Sequence, residues 1–95
     1  MYTLSVKLTF YMPQSSSLKD KRRVCRGLTD RIGSRFNASV AEVGARDFTQ
    51  TLELGFAVVS GESSHARRMA DDIIRNMEEY ADAVLMDTVS QETKI

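Results

Sequence analysis

Tryptophan is missing from this chain, and cysteine, histidine and proline each occur once. A single cysteine, Cys25, excludes an intramolecular disulfide and offers no thiolate ligand set, so a disulfide scaffold and a zinc cluster are both ruled out. A single histidine, His65, sits in the first turn of an expected helix with no nucleophile predicted beside it. It is read as a surface residue rather than a catalyst. Long apolar runs are missing too: none exceeds the four residues of Phe56–Val59, far short of a bilayer span. The opening Met-Tyr-Thr-Leu-Ser-Val lacks the charged start and apolar stretch of a signal peptide. The expectation is a cytoplasmic protein without metal, cofactor or membrane contact.

Net charge is also missing, since 13 basic residues cancel 13 acidic ones. The cancellation is not uniform. Residues 1–37 hold eight of the basic residues and two of the acidic, a balance of +6, and residues 38–95 carry −6. Seven of the basic residues fall between Ser17 and Asn37. A split of this kind points to an electrostatically steered partner, most often nucleic acid.

Apolar residues alternate from Tyr2 to Met12, the period of a strand with one face buried. Pro13 and Ser15–Ser17 end it. Ser17 with Asp20 three residues on marks a helix start, and Leu18, Cys25, Leu28, Ile32 and Phe36 follow on one stripe. Gly27 and Gly33 cost that helix about 1 kcal/mol each relative to Ala, so a bend or frayed end is expected, with Asn37 as the C-terminal cap. Ala38–Val43 and Thr49–Ser60 read as strands joined by a turn at Gly44–Asp47. A second helix starts near Ser63 or Ser64, with Ala66, Met69, Ala70, Ile73, Ile74, Met77, Tyr80 and Ala81 as its apolar stripe. Arg67–Asp71, Arg68–Asp72 and Arg75–Glu79 are spaced for ion pairs on its outer face. Ala83–Val89 reads as a last strand and residues 90–95 as a loose tail. The order β-α-β-β-α-β specifies one ferredoxin-like α+β domain over residues 1–95: a four-stranded antiparallel sheet with both helices on one face.

Three blocks along this order resemble a known family. Ser17-Leu18-Lys19-Asp20-Lys21-Arg22-Arg23-Val24, Arg35-Phe36-Asn37-Ala38-Ser39-Val40-Ala41-Glu42-Val43-Gly44 and Gly55-Phe56-Ala57-Val58-Val59-Ser60 are similar to those of the YlxP-like family. These are small bacterial proteins of unknown function, and the likeness runs over nearly the whole chain. Where many members carry Trp-Gln-Arg-Ala before the third strand, this chain has Phe48-Thr49-Gln50-Thr51. The resemblance implies a ferredoxin-like fold and genes that neighbour translation and ribosome-maturation factors. It implies no activity.

On a helical wheel Lys19, Arg23, Arg26 and Asp30 share one flank of the first helix. Lys21 and Arg22 sit at the margin of the apolar stripe, with stems along the sheet edge and heads in water. Lys19, Lys21, Arg22, Arg23 and Arg26 are thus the candidate contacts for phosphates of ribosomal RNA or a ribosomal subunit. The serines before the helix add hydroxyls and amides suited to an anion. Two other readings stay open. The flank is a solvated face neutralised by Asp71, Asp72, Glu78 and Glu79 of the second helix, or it docks an acidic protein.

The outer sheet face is expected to show Thr3, Ser5, Lys7, Thr9, Glu53, Gly55, Ala57 and Val59. Without a stacking platform beyond Tyr11 it does not suit base reading, but it suits a sheet-to-sheet homodimer. Enzymes of this topology do not fit. An acylphosphatase needs a glycine-rich, arginine-bearing loop where Met12–Ser17 stands, and metal-carrying relatives need a Cys-x-x-Cys there. Cys25 is read as core, and Glu42 as the partner of Arg46 across the hairpin. The chain is read as a non-catalytic binding protein.

Overall fold

The computed structural model describes residues 1–80 and 82–95. Its elements are β1 (Tyr2–Tyr11), α1 (Leu18–Arg35), β2 (Ser39–Gly44), β3 (Thr51–Ser60), α2 (Ser63–Tyr80) and β4 (Val84–Lys94). The four strands form one antiparallel sheet in the order β2-β3-β1-β4. This is the ferredoxin-like arrangement that the element order specifies.

The two central strands pair without a slip from Tyr2↔Ser60 to Tyr11↔Thr51. Opposite residues share a face, so Leu4, Val6, Leu8 and Phe10 are brought beside Val58, Phe56, Leu54 and Leu52 under the helices. Leu28 and Ile32 of α1 and Ala66, Ala70, Ile73 and Met77 of α2 close this core. Ala81, the last residue expected on the α2 stripe, lies outside the described residues. α1 packs over β2 and β3, and α2 over β1 and β3. Among the described residues, no helix is long and apolar enough to cross a membrane.

Local expectations fared unevenly. α1 runs unbroken through Gly27 and Gly33. It ends at Phe36, whose extended backbone (φ −127°) caps it through an N–H bond to the Ile32 carbonyl, so Asn37 falls one residue beyond the cap. None of the three charge pairs expected along α2 is formed among the described residues; Arg75 pairs instead with Asp72, one turn back rather than forward.

The loose tail is instead part of a strand. β4 continues to Lys94, which pairs with Tyr2, and a bulge between Thr9 and Phe10 adjusts its register. Main-chain hydrogen bonds to β1 hold this segment, and most of its side chains are exposed. Its polar sequence therefore carries no hydrophobic alternation to read.

Candidate nucleic-acid interface

The start of α1 is fixed by its own side chains. Ser17 is the N-cap, its Oγ accepting from the Asp20 N–H at 3.1 Å. Asp20 reaches back one residue further than in a capping box, accepting from the Ser16 hydroxyl at 2.8 Å and the Ser16 N–H at 3.2 Å. Those two bonds, the hydroxyl's first, hold the Asp20 carboxyl below its ordinary value, with the Arg23 charge adding to the effect. Ser15 is buried and donates to the Ser17 carbonyl. The serine run expected to receive an anion is thus already engaged, and its anion is Asp20.

Downstream, Lys19, Arg22, Arg23 and Arg26 line one open hollow of about 490 Å³, completed by Gly27, Asp30 and, from the end of α2, Tyr80. Four of the five cations expected to act together are therefore brought together. Among the described residues the ion pairs are Lys21–Glu42 and Arg75–Asp72, so none links this flank to an acid of α2. The polar contact between the helices is made instead by the Arg31 guanidinium with uncharged partners on α2. Arg31 Nε donates to Asn76 Oδ1 at 2.7 Å, and its guanidinium lies 5.1 Å from the Tyr80 ring centroid.

Tyr80 was expected among the apolar stripe but is 47% exposed. It lies against α1 because position 27 is glycine: a Cβ there would stand 2.6 Å from the Tyr80 hydroxyl oxygen. A glycine in a helix interior, costly by propensity, is the sequence signal of such a close approach.

Lys21 departs from the expectation. It is 1% exposed, so its ammonium is not in water. Nζ pairs with Glu42 Oε2 at 3.3 Å and donates to the carbonyl oxygens of Phe48, at 2.9 Å, and Ala45. The reason is phase. Lys21 is one full stripe before Leu28 and Ile32, and the register of β2 turns Glu42 inward beside Val40. Glu42 therefore pairs, as expected, in a structural role, but with Lys21 and not with Arg46. The buried ammonium ties α1 to the β2–β3 turn, where Ala45 holds a left-handed backbone (φ 54°). Beside this pair the Cys25 thiol is pushed up by burial and by the Glu42 charge, which disfavours a reactive thiolate.

The opposite face of the sheet is of another kind. Val43, Val59 and Val89 are 51%, 54% and 52% exposed. A shallow hollow of about 540 Å³ lies there, lined by residues that include Lys7, Ala41, Val43, Gly55, Ala57 and Val89. Thr3, Ser5, Lys7 and Thr9 pair with Val59, Ala57, Gly55 and Glu53 on this side, as the alternation requires. Among the described residues no group of three or more His, Cys, Asp or Glu side chains is placed to hold a metal ion.

Fold and surface together define a small ferredoxin-like protein with a cationic helix flank. Two solved structures share this architecture. A de novo designed protein, Foldit4, superposes with a TM-score of 0.53 at 8% identity, over 99% of this chain and 97% of its own. A second design with a ferredoxin fold, LFR1 1, gives 0.51 at 19% identity, over 98% and 84%. These likenesses speak for the fold alone. The family is given by sequence: the chain belongs to the family described as Protein of unknown function (DUF503), which matches residues 3–90. It is also similar to the uncharacterized protein YlxP of Bacillus subtilis strain 168, 39% identical over 46 residues. That match spans about half of each protein, 48% of this chain and 50% of YlxP.

Proposed function

We propose that this protein is a non-catalytic RNA-binding accessory factor of the cytoplasm that engages structured RNA, such as that of a ribosomal particle, through the α1 flank. The observation that carries this reading is the gathering of Lys19, Arg22, Arg23 and Arg26 around one hollow, with no ion pair to the acids of α2 among the described residues. Cations left to solvent in this way can neutralise phosphates, which releases the counterions condensed along an RNA backbone. Lys21 takes no part, because its charge is spent on Glu42 and two carbonyls. The test is a binding titration of a structured RNA fragment with the wild type and the triple variant R22E/R23E/R26E. A loss of about a hundredfold or more is expected from reversing three phosphate-facing charges. Undiminished binding in the variant contradicts the assignment.

The exposed valines of the sheet face favour a second reading, a homodimer formed sheet to sheet. Strands about 4.8 Å apart, three of them about 34 Å long and β2 about 20 Å, make a face of roughly 600 Å². Two such faces bury about 1,200 Å², the lower end of stable interfaces. Lys7 places a positive charge on that face between Glu53 and Asp87, the acids opposite Thr9 on the two flanking strands. Sedimentation of the wild type against Val59→Lys tests it: a dimer that becomes a monomer supports the reading, and a monomeric wild type removes it.

A further inference from the structure

The hollow on α1 contains more than phosphate chemistry requires. Resting on the RNA-binding reading above, we infer that it is a seat for an unpaired nucleotide, with Tyr80 as the stacking platform and the cations of α1 as the phosphate clamp. Three observations carry this. Tyr80 is the aromatic residue among the hollow's lining and is half-exposed there, rather than buried in the core as its helical phase suggested. Its position is built: Gly27 removes the Cβ that would collide with its hydroxyl at 2.6 Å, and the Arg31 guanidinium lies 5.1 Å from its ring centroid. Finally, among the exposed aromatics Tyr11, Phe48 and Tyr80 of the described residues, Tyr80 is the one that lines a hollow together with the α1 cations, so this is where a π-surface and a phosphate clamp coincide.

The hollow is also polarised along the helix. Lys19, Arg22 and Arg23 stand toward the α1 N-terminus, while Asp30 and Tyr80 flank Gly27 further along. The eight helical steps from Lys19 to Gly27 span about 12 Å. A carboxylate repels phosphate but accepts N–H groups from a base edge, so Asp30 belongs to the base end and the arginines to the backbone end. A duplex keeps its bases stacked on one another and offers only phosphates and sugars to such a site. A loop or single strand offers an unstacked base as well.

The test compares an unstructured single-stranded RNA with the fully paired duplex of the same sequence, each fluorescently labelled. The proteins are wild type, Tyr80→Ala, Tyr80→Trp and R22E/R23E/R26E. The wild type is expected to prefer the single strand. Tyr80→Ala should weaken single-strand binding by about tenfold or more and leave duplex binding unchanged, while Tyr80→Trp keeps the preference. Because the chain has no tryptophan and three tyrosines, a Tyr2→Phe/Tyr11→Phe background makes Tyr80 the sole emitter, and its quenching by the single strand reports stacking directly. If Tyr80→Ala binds both probes like wild type while the triple variant binds neither, the phosphate reading stands and the nucleotide seat is overturned. If the wild type binds neither probe, or the triple variant binds as wild type does, the phosphate reading falls and the seat with it.

Discussion

The helix flank and the open sheet face each contain a glycine covered by a side chain from a neighbouring element, with opposite results. At Gly27 the covering group is Tyr80, and an aromatic ring comes to rest among four cations. At Gly55 it is Val43, whose Cγ1 would stand 2.9 Å from an added Cβ, and the outcome is a level, aliphatic surface. One glycine helps build a concave, charged and aromatic site, while the other flattens a sheet. The same absence of a side chain thus admits a tyrosine beside a cationic flank in one place and levels an aliphatic surface in the other. What decides between them is the charge already laid down along α1.

The largest effect expected inside the molecule concerns the cation that does not join the flank. Lys21→Met leaves Glu42 without its partner in a mostly buried setting and frees two carbonyls. It should cost about 3 kcal/mol in urea unfolding. A loss below about 1 kcal/mol would mean that the pair is weakly held and that Lys21 is free to join the flank.

Gly27→Ala sharpens the contrast between the two glycines. Helix propensity favours alanine by about 1 kcal/mol, and the atom it displaces is the far end of a flexible tyrosine. The variant should therefore be as stable as wild type or slightly more so, yet bind single-stranded RNA as weakly as Tyr80→Ala. At Gly55 the neighbour is the stiff β-branched Val43, so Gly55→Ala should be the more destabilising of the two substitutions in thermal melts.

The smallest effect is a pH dependence. Asp20 has a depressed carboxyl, so its contribution to stability is complete above the unfolded-state value near 4. It is lost as pH falls through the lower, folded-state value. Asp20→Asn should melt slightly below wild type at neutral pH, with the gap closing in acid below about pH 4. A gap constant across that range would show that the Ser16–Asp20 bonds do not form in solution.

The strands and helices were legible because their core is periodic. Alternation in β1 and β3 and the stripes of α1 and α2 gave the element order, the buried face and the outer face. The missed features depend on partners distant in sequence. Lys21 carries a charge at an apolar phase, and only the inward phase of Glu42, an acid among apolar neighbours in β2, hinted at its burial. The far half of β4 is polar because β1 supplies its hydrogen bonds while most of its side chains stay in water. Tyr80 reads as stripe on a wheel, and its exit from the core is decided by the glycine opposite it on another helix. Of the candidate site, Lys19, Arg23 and Arg26 were visible as a flank, with Arg22 placed at the margin of the apolar stripe. The aromatic that completes the hollow was not.

The salt dependence of RNA binding tests the central claim most directly. With Lys19, Arg22, Arg23 and Arg26 each meeting a phosphate, log affinity against log salt should fall with a slope of about −3 for the wild type. The slope should stay there in Lys21→Met at temperatures where that variant is folded, and approach zero in R22E/R23E/R26E. A slope near zero in the wild type, or one undiminished in the triple variant, would contradict the account.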